Sequence, residues 1–132
     1  MQPELVTDGR RAYCMIIRRG LSADVTTFFS GDSDLLQVGL VCRRAGEPIP
    51  RHLHVKNERR IDHTWEFLLV RKGSMTLTLF DDDRQPFAER VLEEGDAVLL
   101  MAGGHGFLPH EDLVLLEVKQ GPFTEGKDKE RF

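Results

Sequence analysis

The chain has 132 residues, of which 40% are hydrophobic and 30% charged, and its formal net charge is -4. This length predicts one compact domain over residues 1–132 that buries a core without disulfide staples. The mild acidity argues against non-specific nucleic-acid binding, which needs a basic surface. There is no apolar signal core at the N-terminus and no apolar run of about 18 residues. We therefore expect a soluble, cytoplasmic protein that binds neither nucleic acid nor membrane.

Most of the chain is predicted to form short β-strands. The only helix candidate, residues 3–11, is short and polar. Further along, Met75, Leu77 and Leu79 alternate with threonines, which is typical of a half-buried strand. Short strands separated by turn residues indicate a sandwich or a barrel, and the polar segment 124–132 is expected to fray. The predicted strands are 13–17, 25–29, 35–43, 65–71, 75–80, 87–92, 97–101 and 113–119.

The two cysteines, Cys14 and Cys42, both lie in apolar runs. Reduced cysteines buried in a core are typical of such runs in an intracellular protein. The sequence has no C-x-x-C pair and no zinc-finger spacing of cysteine and histidine. We therefore expect two free thiols.

The residues best suited to chemistry begin with two histidines, His52 and His54. On a strand, residues two positions apart point to the same face, so both imidazoles can converge on one metal ion. Glu66 opens an apolar strand and shares a face with Leu68 and Val70. A carboxylate buried there without a partner is costly, and binding a cation would remove that cost.

A fourth candidate ligand is His105, which lies among three glycines that let the backbone approach a ligand closely. His52, His54, Glu66 and His105 form a set of three nitrogen donors and one oxygen donor. This set suits one divalent transition metal ion, namely Fe, Mn, Ni, Co, Cu or Zn. It leaves coordination positions open, as catalytic metal sites do.

The spacing of these residues resembles the two motifs of the cupin superfamily. Gly46, five residues and His52-Leu53-His54 match the first half of the first motif, and Glu66, six residues and Gly73 match its second half. The interval between His54 and Glu66 is longer than in the family. In the second motif Met101 replaces a proline, and His105 comes one residue early. The resemblance covers roughly residues 35–120.

The resemblance implies an all-β fold, the cupin double-stranded β-barrel or jelly roll, with extra N-terminal strands. It also implies the metal ligands named above, with Glu66 serving as a catalytic base as well. A metal-dependent enzyme of dioxygenase, isomerase or lyase type, acting on a small polar or acidic molecule, is the favoured interpretation. The alternatives are a non-catalytic binding or sensing module and a metal-free relative. Small cupins of this type are commonly homodimers, which we expect here.

Two ligand assignments have alternatives. Glu58 follows His54 at the family's spacing for the acid, but it lies in a charged stretch without a following apolar strand, so Glu66 is preferred. His110 is an alternative to His105, although its polar turn favours exposure. The longer interval between His54 and Glu66 contains an inserted loop, residues 56–63. This loop carries His63, which is suited to a lid or substrate role at the barrel mouth. Lys119 or Gln120, at the end of the last strand, is a candidate polar anchor for a ligand.

Overall fold

The computed structural model describes residues 1–132 and confirms the all-β prediction. The chain forms ten strands and no helix, and therefore has no helix of the length and apolarity that crossing a membrane requires. The strands, numbered in chain order, are β1 (Glu4–Thr7), β2 (Ala12–Ile17), β3 (Thr27–Phe28), β4 (Gly39–Leu40), β5 (Glu66–Lys72), β6 (Ser74–Phe80), β7 (Pro86–Glu93), β8 (Ala97–Leu100), β9 (Gly104–Pro109) and β10 (Val114–Lys119).

The strands form three antiparallel sheets. A five-stranded sheet has the order β1-β2-β8-β5-β10, a three-stranded sheet has the order β7-β6-β9, and β3 pairs only with β4. The chain passes from the large sheet to the small one at Gly73, whose φ of 86° favours glycine. The sheets are not joined into a closed barrel, so the finer jelly-roll topology stays a prediction.

The core lies between the large and the small sheet. On β6, Met75, Leu77 and Leu79 are fully buried, whereas the threonines between them are only half-buried, which confirms the predicted alternation. Period two places these side chains on one face of the small sheet. They belong to one hydrophobic cluster that also includes Cys14, Ile16, Leu68, Val70, Leu92, Val98 and Leu100.

Asp96 is the one charged residue in the buried class. Its carboxylate accepts hydrogen bonds from the backbone N–H groups of Arg19 and Glu93 at 2.9 and 3.0 Å, and from the guanidinium of Arg18 at 2.9 Å. Burial by itself raises the pKa of Asp96, but these donors outweigh burial and hold the pKa below its ordinary value. Asp96 thereby ties the end of β2 to the turn before β8.

Both cysteines are free thiols, as expected. Cys14 lies in the core, where burial raises the pKa of its thiol to about 12. Cys42 is only half-buried, and its Sγ donates a hydrogen bond to the carbonyl of Ala23 at 3.1 Å. The core placement is therefore confirmed for Cys14 and is wrong for Cys42.

Four parts of the chain differ from their predicted structure. Residues 4–7 form a strand that pairs with β2, where a short helix was the candidate. Strands 25–29 and 35–43 shrink to the two-residue pair β3–β4. Val25, Phe28 and Val41 remain exposed there, and a two-stranded ribbon without a covered apolar face does not extend. The glycine-rich stretch around His105, which was not among the predicted strands, is strand β9.

Candidate functional site

Glu66 and His105 are brought together by different sheets. Glu66 is the first residue of β5 and lies opposite Leu100 on β8 and Lys119 on β10. His105 is the second residue of β9 and lies opposite Leu79 on β6. The His105 Nε2 and Glu66 Oε2 atoms are 3.4 Å apart, and the two side chains are 29% and 16% exposed. Two of the four predicted ligands are therefore neighbours at one end of the sandwich.

The carboxylate of Glu66 is favoured in its ionised form. The neighbouring His105 imidazole lowers the pKa of Glu66, and this effect exceeds the opposing one of partial burial. The ammonium groups of Lys119 and Lys129 lower it further. At neutral pH, Glu66 is therefore a charged group that can accept a cation or a proton.

A cavity of about 450 Å³ opens beside this pair, and we call it the Glu66 cavity. Its wall combines the ends of β5, β8 and β9 with three stretches outside the sheets. Leu100, Met101 and Ala102 supply its apolar part. The remaining lining residues are Asp62, His63, Thr64, Glu66, Gly103, His105, Lys127 and Asp128.

His63 lies at this cavity, where the inserted loop was expected to overhang the site. Its Nδ1 is 2.6 Å from the Asp62 carboxylate, and the imidazole lowers the pKa of Asp62. A hydrogen bond from Nδ1–H to Asp62 leaves Nε2 of His63 as a free acceptor. Both side chains are exposed to solvent.

The C-terminal segment, residues 124–132, packs beside the cavity against the three-stranded sheet and the loop after β6. The Phe132 ring packs edge-on against Phe80, with 5.2 Å between centroids, and Glu130 forms a 2.9 Å ion pair with Arg84. Gly104 makes room for Phe132, because a Cβ there would lie 2.7 Å from the ring. The expected fraying concerns motion and stays a prediction, whereas Lys127 and Asp128 of this segment line the cavity.

His52 and His54 lie apart from this pair. The prediction that they sit on a strand is wrong, since residues 41–65 contain none and residues 48–64 form no backbone hydrogen bonds with one another or with the strands. Both are exposed, with ring centroids 5.4 Å apart, and His52 Nδ1 is 2.8 Å from the carbonyl oxygen of Pro50. No group of three or more His, Cys, Asp and Glu side chains lies close enough to hold a metal ion.

The alternative ligands are also away from Glu66. His110 is exposed, and its Nε2 is 2.7 Å from the hydroxyl of Thr76 on β6. Glu58 is exposed in the irregular segment between Leu40 and Glu66. Of the two candidate histidines, His105 is the neighbour of the carboxylate.

Sequence reasoning missed the contribution of Lys127 and Asp128 to the cavity. Both lie in the polar segment that was expected to fray, whose composition is that of a solvated tail. The aromatic residue at its end, Phe132, was the available signal, because an exposed aromatic ring gains free energy by packing.

Comparisons with known proteins leave the family open. No family model matches the chain, and neither a curated protein nor a solved structure matches it. The site must therefore be interpreted from its own residues.

Proposed function

We propose that this protein is a metal-binding cupin, and that it acts as a metal-dependent enzyme on a small polar or acidic molecule. The observation that carries the proposal is the contact between Glu66 and His105 beside a cavity of about 450 Å³. A carboxylate and an imidazole from different sheets, both partly buried and facing one space, are suited to share a cation. Pockets of this size accommodate small molecules.

The nitrogen and oxygen donors suit a divalent transition metal ion, but only two of the four predicted ligands lie next to each other. Glu66 and His105 are neighbours, whereas His52 and His54 lie on an exposed segment. We propose that residues 49–55 approach the pair when the ion binds. The linker of residues 56–65 is long enough for this, since an extended chain spans about 3.3 Å per residue.

Two features of the structure support such a movement of residues 49–55. The first is the exposure of three apolar side chains in this segment: Ile49, Leu53 and Val55 are 54%, 78% and 76% exposed. Burying each would stabilise the protein by about 1.5–3 kcal/mol, which offsets part of the entropy lost when the backbone is ordered, and the free energy of metal binding would have to supply the rest. The second feature is strand β9, which lies at the edge of its sheet and offers unpaired backbone groups next to His105.

A bound ion would supply Lewis acidity at the open side of the pair. The residues of the chain then have separate roles. Glu66 is held ionised by its neighbours and can take up a proton from a ligand, while His63 at the cavity mouth offers a second acceptor oriented by Asp62. Of the chemistries suggested by the cupin resemblance, isomerase and lyase reactions that remove a proton use such an acceptor beside an activated ligand.

The test is elemental analysis of protein purified without added metal. We expect about one transition metal ion per chain, lost in the His52→Ala/His54→Ala double variant and in His105→Ala. His110→Ala is the matched control, because this histidine bonds to Thr76 away from Glu66. Wild-type protein that stays metal-free after incubation with each of the six candidate ions would contradict the proposal.

The second candidate is a non-catalytic binding module, and the exposure of the His63–Asp62 pair favours it, since solvent would compete for a catalytic proton. To separate the two, iron-loaded protein is incubated with catechols, thiols and keto acids while oxygen uptake is followed. Consumption of oxygen or formation of product supports the enzyme. Tight retention of a compound without turnover supports the binding module.

A further inference from the structure

A second cavity lies beside Gln120, along the C-terminal segment. It encloses about 300 Å³, and we call it the Gln120 cavity. Only one of its ten lining residues is hydrophobic, so it suits a polar ligand rather than an apolar one. Asp128 lines both this cavity and the Glu66 cavity, so the two are adjacent.

Gln120 carries the one buried side-chain polar atom of the chain that lacks a hydrogen-bond partner. Its Oε1 accepts the backbone N–H of Trp65 at 2.7 Å, which sets the orientation of the amide. The Nε2 atom therefore carries the unpaired donors. A buried donor without an acceptor costs about 1–3 kcal/mol and is rare in native proteins. An acceptor that the chain does not provide would remove this cost.

The charged groups of the same cavity favour an anion. It is lined by three cations, Lys119, Lys129 and Arg131, and by two carboxylates, Glu125 and Asp128. Neither Lys129 nor Arg131 has a carboxylate within 4.0 Å, and Lys119 is 3.8 Å from Glu117, outside the cavity lining. Asp128 is engaged by the hydroxyls of Thr64 and Thr124. Two cations of the wall are thus without an anionic partner.

We propose that the Gln120 cavity binds a small oxyanion, the carboxylate or phosphate group of a small molecule. Gln120 Nε2 donates a hydrogen bond to it, and Lys129 and Arg131 supply the positive charge. Charged hydrogen bonds of this type are about twice as strong as neutral ones. The site is separate from the proposed metal ligands and binds its ligand without a metal ion.

The test uses the full chain after treatment with a chelator, with inorganic phosphate and succinate as separate probes. Each is titrated while the side-chain amide resonances of Gln120 are followed by NMR and the heat of binding is measured. We expect a saturable shift of the Gln120 amide with at least one probe. A response to phosphate alone assigns a phosphate group, and a response to succinate alone assigns a carboxylate.

Three variants test the assignment. Lys129→Ala/Arg131→Ala should weaken binding at least roughly tenfold, since both charges are lost. Gln120→Glu keeps an acceptor for Trp65 but adds a negative charge, and should abolish binding. Lys56→Ala/Lys72→Ala is the matched control, because it removes the same charge from exposed positions outside the cavity and should leave binding unchanged.

The proposal is overturned if neither probe moves the Gln120 amide at millimolar concentration. It is also overturned if the control double variant weakens binding as much as the cavity double variant, because binding would then follow net charge alone. Since the protein is free of metal in this experiment, either outcome is distinct from failure of the proposed metal site, which is tested by metal content.

Discussion

Asp96 is the residue whose side chain most clearly stabilises the fold through polar contacts. It is buried, and three donors from two segments converge on its carboxylate. We expect Asp96→Asn to lower the free energy of unfolding by about 2 kcal/mol at neutral pH, because an amide cannot accept all three hydrogen bonds. Urea denaturation at pH 7 measures the loss.

The same contacts set the pH dependence of this contribution. The folded pKa of Asp96 is lowered, so its stabilisation is complete above the unfolded pKa of about 3.9 and is lost as the pH falls through the folded value. The difference between wild type and Asp96→Asn should therefore shrink in acid. Asp24→Asn, at an exposed carboxylate without hydrogen bonds, is the control, and an equal loss in both variants would contradict the role of Asp96.

The chemistry of single residues was partly predictable from the sequence. Glu66 was recognisable because a carboxylate at the start of an apolar strand needs a partner, and the structure gives it His105. Gln120 was named as a polar anchor without a way to choose between it and Lys119. The unpaired Nε2 depends on the orientation of one amide, which is set by Trp65 across 55 residues and is not encoded locally.

Strand β9 owes its position to Gly103, which has a φ of 67°. A Cβ at this residue would lie 2.4 Å from the carbonyl oxygen of Phe80 and 2.5 Å from the ring of Tyr13. We expect Gly103→Ala to displace the start of β9 and move His105 away from Glu66. Urea denaturation and the chemical shifts of the His105 imidazole measure both effects.

Gly9 provides a matched control for this substitution. Its φ is 88°, but a Cβ there would meet nothing within 4 Å. Gly9→Ala should lower the free energy of unfolding only by the cost of the left-handed backbone conformation, about 1–2 kcal/mol, and should leave His105 in place. Gly103→Ala should lower the free energy of unfolding clearly more, because steric crowding adds to the conformational cost. Equal losses in the two variants would show that close packing at Gly103 does not position β9.

The strands of the core were predictable because their apolar residues alternate, as Met75, Leu77 and Leu79 do. Strand β9 was missed because glycine is rare inside strands, and its pairing with β6 overrides that preference. The reverse error occurred at residues 35–43, whose apolar content predicts a strand. Pairing there stops after two residues because no further strand covers the pair.

For the whole molecule, the all-β class follows from the strand pattern, whereas closure of the sheets does not. Closure depends on whether residues 41–65 pair with a sheet edge, and such long-range pairing has no local signature. The four-ligand site depends on the same question, because His52 and His54 belong to this stretch. The sequence therefore identifies candidate ligands by their chemistry, but it does not say where His52 and His54 lie.

The expected homodimer stays a prediction, and the five-stranded sheet offers two edges for it, β1 and β10. Leu5 on one edge and Leu116 on the other are about half exposed, and a two-fold axis can bury either edge against itself. We expect light scattering to give the mass of two chains. Leu5→Lys or Leu116→Lys should give a single-chain mass, depending on which edge pairs. A single-chain mass for the wild type at all concentrations would contradict the dimer.

Because Glu66 and His105 belong to different sheets, the distance between them depends on how the two sheets are aligned. If one sheet slipped by a single residue along its strands, its side chain would move by about 3.3 Å. This movement is as large as the 3.4 Å distance between His105 Nε2 and Glu66 Oε2. Side chains such as Leu77 and Val98, which lie in the core and do not line the cavity, hold that alignment. Repacking the core would therefore change the distance between Glu66 and His105 without a substitution at either residue.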